Sequence, residues 1–174
     1  SLYIYKKTTD LHEFVGVIGG ASINEYNNGK IKKHEQTITE GETKFSNYLK
    51  VVEFNVEPVL LFHDNREKLN NLLIKYTFGR PEYEFTTTDK SKHELWVISE
   101  PSMIEEIQNI YSTIDDVYIA DGHHRSASSA RFYNDSENKT QLKAHFLAYF
   151  ISSERLKILD YNRLVKTTNN LSKT

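Results

Sequence analysis

Apolar residues recur along this chain in two rhythms. Short runs rich in aromatic and β-branched residues, at Leu2–Lys6, Phe14–Ala21, Pro58–Phe62, Leu95–Ile98, Val117–Ala120 and His145–Ile151, predict strands. Between them lie segments with helical spacing. In NREKLNNLLIKYT, Leu69, Leu72, Leu73 and Tyr76 follow the i, i+3, i+4, i+7 rule. In PSMIEEIQNIYSTI, Pro101 suits a first helical position, and Ile104, Ile107, Tyr111 and Ile114 form one stripe. A third helix is expected in the small-residue run SASSARFY after Arg125. Loops are expected near Glu40–Ser46, Thr77–Lys92 and Asn134–Gln141. The alternation is irregular, so the pattern predicts an α+β fold with a mixed sheet instead of a regular doubly wound one.

Composition narrows the class. The 174 residues include 38% hydrophobic and 26% charged positions, enough for one domain with a proper core. No apolar run is long enough to cross a bilayer. The absence of cysteine removes disulfides, thiolate catalysis and cysteine-ligated zinc, and fits a cytoplasmic setting. A formal net charge of −2 provides no global field to attract nucleic acid. The strand-like opening LYIYKK and the polar ending TTNNLSKT are read as a single domain over 1–166, part of something longer, followed by a tail over 167–174.

Two segments carry more chemistry than folding needs. VYIADGHHR at 117–125 reads as a strand, a glycine turn and a helix start, which leaves unpaired N–H groups facing an anion. Gly122 allows close backbone approach, and Arg125 can fork two donors onto a phosphate or carboxylate. His123 and His124, if helical, lie about 100° apart and do not easily chelate one ion, so phosphate binding is favoured over zinc. GKIKKHEQT at 29–37 has Ile31 as its only large apolar residue and gathers Lys30, Lys32, Lys33, His34 and Glu35. Its lysines can offset phosphate charge, and a glutamate beside cations can stay ionised and accept a hydroxyl proton. A plain solvated basic loop is the alternative for that segment.

The order IKKHEQT, ELWVI, YIADGHHR, LDYNRLVK resembles an uncharacterised bacterial and archaeal family of ParB-like proteins, over about Tyr3 to Lys166. The wider relatives are ParB amino-terminal domains, sulfiredoxin and free serine kinases, so the resemblance implies a ParB/sulfiredoxin-like fold and a nucleotide-binding domain. It further implies Glu35 as base, with Asp121 and His124 in the catalytic set. The phosphate cradle would be Gly122, His123, His124 and Arg125, supported by Lys33, His34 and Arg163. Asp121 would hold Mg²⁺ or orient a histidine, and the cofactor would be Mg²⁺ with ADP or ATP. No adenine pocket or serine pocket is matched by motif. Three functions follow as expectations: a kinase acting on a small molecule such as free serine, a ParB-like nucleotide or nucleic-acid binding module with or without nuclease activity, and a non-catalytic fragment that contributes fold or partner contacts only.

Overall fold

The computed structural model describes residues 1–36, 39–52 and 54–158. Two antiparallel strands, β1 (Leu2–Thr8) and β2 (Glu13–Ser22), lead into the short helix α1 (Ile23–Asn27), capped by the Ser22 hydroxyl, and the two-residue strand β3 (Ile31–Lys32). Helix α2 (Thr39–Val52), β4 (Val59–His63), α3 (Glu67–Thr77) and the hairpin β5 (Tyr83–Thr86) and β6 (Lys92–Ile98) follow. Then come α4 (Pro101–Ser112), β7 (Val117–Asp121), α5 (His123–Asn134) and β8 (His145–Ser152). Among the described residues these make five α-helices and one mixed sheet of eight strands, ordered β3-β7-β4-β8-β2-β1-β6-β5. The fold is α+β.

Register puts the core on one face of that sheet. Ile4 lies opposite both Val17 and Trp96, Val17 opposite Phe150, and Leu61 between Phe150 and Ile119. The helices bury their apolar stripes on this face in two clusters. Ile23 and Tyr26 of α1 and Ala127 and Ala130 of α5 cover Ile31, Leu61, Ile119 and Phe146. Leu69 and Leu73 of α3 and Ile107 and Ile110 of α4 cover Ile4, Val17, Trp96 and Ile98. Each fully buried large side chain contributes about 1.5–3 kcal/mol against chain entropy. Trp96 is 3% exposed, and its indole N–H donates to the Gly79 carbonyl at 2.8 Å. On the opposite face Phe62 stacks on Tyr118, and Tyr5 meets Tyr149 edge to face.

Several expectations need correction. Residues 40–46, expected as loop, lie in α2. Its apolar residues Phe45, Tyr48 and Val51 are exposed, and its contact with α5 uses small residues such as the buried Ser46 and Gly41. The expected loop at 77–92 contains β5, whose four residues are all exposed, and the Leu95–Ile98 strand begins at Lys92. Tyr118, in the strand expected at Val117–Ala120, is 38% exposed because β7 is covered on one face only. Ile158, at the end of the described residues, is exposed. Arg163 and the boundary at 166/167 lie outside the described residues.

Candidate functional site

Topology joins the two chemically loaded segments. β3 runs parallel to β7, with Ile31 opposite Val117 and Lys32 opposite Tyr118. Parallel strands release their chains at the same end, so Lys33, His34 and Glu35 leave β3 beside the point where Asp121, Gly122 and His123 leave β7. Carboxyl ends of neighbouring parallel strands are where open α/β sheets hold ligands. Gly122 makes the turn at φ 97°, a left-handed conformation that a side chain would strain. The Ser126 N–H donates to the Gly122 carbonyl at 3.0 Å, the first bond of α5. The N–H groups of His123, His124 and Arg125 precede it and have no acceptor within the helix.

His123 is 5% exposed and stands between the two segments. Its Nδ1 is 3.5 Å from Glu35 Oε2, an electrostatic contact longer than a good hydrogen bond. The His34 ring meets it edge to face at 4.3 Å. Burial, then the neighbouring His34, push the His123 pKa below its ordinary 6.5, against the pull of Glu35 and Asp121. The imidazole is therefore neutral at pH 7, and its buried Nε2 has no hydrogen-bond partner among the described residues. Glu35 itself is two-thirds exposed. The cleft, of about 620 Å³, is lined by Tyr26, Glu42, His123 and the run Lys33 to Gln36.

The remaining predicted site residues divide. Lys33 lies in the cleft with its ammonium 3.9 Å from the centre of the Tyr26 ring. His124 packs away from the cleft lining: a Cβ on Gly41 would sit 3.2 Å from its Nδ1, which is buried without a partner among the described residues. Arg125 folds back over the turn, where a Cβ on Gly122 would meet its guanidinium carbon at 3.2 Å. It is held by the Asp121 carboxylate, the Pro58 carbonyl and Glu57 Oε2, the last at 3.2 Å. Lys30 and Lys32 pair with Glu25 and Asp116. Asp121 is thus engaged with Arg125, and no group of three potential metal-ligating His, Asp or Glu side chains occurs among the described residues.

Sequence reasoning missed Tyr26 and Glu42 in the cleft and Glu57 on Arg125. Glu42 lies in the 40–46 stretch, whose sequence predicts a loop; Tyr26 carries an ordinary core signal, and the single Glu57 carries none.

No curated protein and no solved structure matches the chain. A family model described as "Protein of unknown function (DUF1015)" matches residues 1–174, and the chain belongs to that family.

Proposed function

We propose that this domain binds a nucleotide by its phosphates at the start of α5 and transfers a phosphoryl group to a small hydroxyl acceptor, with free serine the first candidate. The observation that carries the reading is the meeting of Glu35 with His123 in one cleft at a glycine-turned helix start. In the transfer, Glu35 takes the hydroxyl proton, the hydroxyl oxygen bonds to the terminal phosphorus, and the bond from that phosphorus to its bridging oxygen breaks. The nucleotide leaves one phosphate shorter. With His123 neutral, the helix-start N–H groups and Lys33 supply the attraction for phosphate. This chemistry is mostly positioning and electrostatics, which needs no strong nucleophile from the protein.

Magnesium, when bound, would neutralise phosphate charge. Asp121, paired with Arg125 at the turn, would exchange that partner to hold the ion. A ParB/sulfiredoxin-like ancestry and a cytoplasmic place among small metabolites accompany the same reading.

A second reading, a ParB-like binding module without transfer, is favoured by one observation: Arg125 is already held by two carboxylates and a carbonyl. Nucleic acid is the weaker ligand for it, since Lys30 and Lys32 are already paired with Glu25 and Asp116. The experiment is to incubate the protein with ADP, ATP or CTP and free amino acids and to detect phosphorylated product. Glu35→Gln should retain nucleotide affinity while turnover falls by roughly a hundredfold, the usual worth of a positioned base. Full activity in Glu35→Gln would remove the transfer reading and leave the binding module.

A further inference from the structure

A second hollow lies along α2, beyond the cleft. We propose that it holds the heteroaromatic base of the nucleotide, an inference that rests on the nucleotide reading above. It measures about 260 Å³ and is lined by Phe45, Tyr48, Leu49, Asn55, Arg125 and Ser129, among others. Whole-ligand sites run from about 300 to 1,000 Å³, so this one suits a single ring system with the rest of the molecule outside.

The lining has the chemistry of a base site. Phe45 and Tyr48 are three residues apart on α2, hence on one face, and are 48% and 44% exposed. Two large aromatic side chains left this open offer flat apolar surface for stacking. Beside them the Ser129 hydroxyl meets the Asn55 amide oxygen only at 3.5 Å. That distance leaves a hydroxyl and a carboxamide able to turn toward the donors and acceptors on a ring edge.

Continuity with the phosphate end is the stronger argument. Arg125 lines this hollow and also lies over the Gly122 turn, so one guanidinium spans both places. Ser129 is six residues beyond His123, about 9 Å along the helix axis at 1.5 Å per residue. Six residues also turn the helix by about 240°, so a ribose and the full phosphate chain are needed to bridge the hollow and the cleft. The planar guanidinium can also stack on a base without giving up its carboxylate partners.

Calorimetry with two probes of the same charge, ATP and inorganic tripolyphosphate, separates the base from the phosphates. The wild-type protein should bind ATP at least tenfold more tightly than tripolyphosphate. Tyr48→Ala should lose about tenfold in ATP affinity with tripolyphosphate unchanged, and Tyr48→Phe should retain both. Asn55→Ala, which leaves α2 intact, should move ATP binding in the same direction and serves if Tyr48→Ala misfolds. Equal wild-type affinity for the two probes, or variants that change both probes alike or neither, would overturn the base site while the phosphate reading stood. A wild-type protein that binds neither probe would overturn both.

Discussion

Helices α4 and α5 both follow a strand closely, both begin without a side-chain capping bond, and their fates differ. At α4 the cap is Glu100 in an extended conformation, Pro101 fills the first turn, and residues 99–102 are exposed. Water completes those N–H groups. At α5 the cap is Gly122 in a left-handed conformation, and His123 behind it is buried with an unpaired ring nitrogen. A bare helix start in water is ordinary; a bare helix start beside a buried, unsatisfied imidazole is not.

Arg125→Ala should have the largest effect at the α5 end, weakening nucleotide binding by about 1.5–3 kcal/mol in calorimetry, because it would leave the Asp121 and Glu57 carboxylates unpaired beside the phosphates. Gly122→Ser comes next. Serine is normally a favoured cap, yet at φ 97° its Cβ would be strained and would crowd Arg125 and Val59, so denaturant unfolding should show a loss of about 1–3 kcal/mol. The matching change at the other helix, Glu100→Ser, should act in the opposite direction. There the cap already has φ −68° and ψ 120°, and a hydroxyl should add about 0.5–1 kcal/mol. A destabilised Glu100→Ser or an unaffected Gly122→Ser would break the contrast.

The smallest effect concerns pH. His123 has a folded pKa below its ordinary 6.5, so between those two values the unfolded chain binds more protons than the folded one. Stability should therefore fall as pH drops through 6.5 toward the folded pKa, and His123→Asn should flatten that slope in thermal scans. In NMR titrations Glu35→Gln should lower the His123 pKa further by removing a favourable charge. A His123 titrating above 6.5 would place the imidazolium, not the helix start, in charge of the anion.

How much of this was legible depended on whether the signal was local. The stripes of α3 and α4 and the aromatic, β-branched strands could be read because each buries a periodic set against the sheet. Helix α2 could not: Phe45, Tyr48 and Val51 point to solvent and Ser46 points inward, the reverse of the usual pattern. Both halves of the candidate site were visible as unusual residue clusters, and so was the glycine turn. Their meeting was not visible in any spacing, because it comes from the parallel pairing of a two-residue strand with β7 some ninety positions later. Arg125's engagement with Glu57 is likewise a product of three-dimensional neighbours.

The placement of the single tryptophan has a practical consequence for spectroscopy. Trp96 sits beneath α3 and α4, in the apolar cluster that excludes α1 and α5, with its indole N–H fixed to Gly79. Its emission should follow global unfolding and stay nearly silent when a ligand occupies the other half of the sheet. A fluorescence titration with no change would then be the optical signature of a distant reporter, and an extrinsic label near Glu42 would be needed to watch the cleft fill.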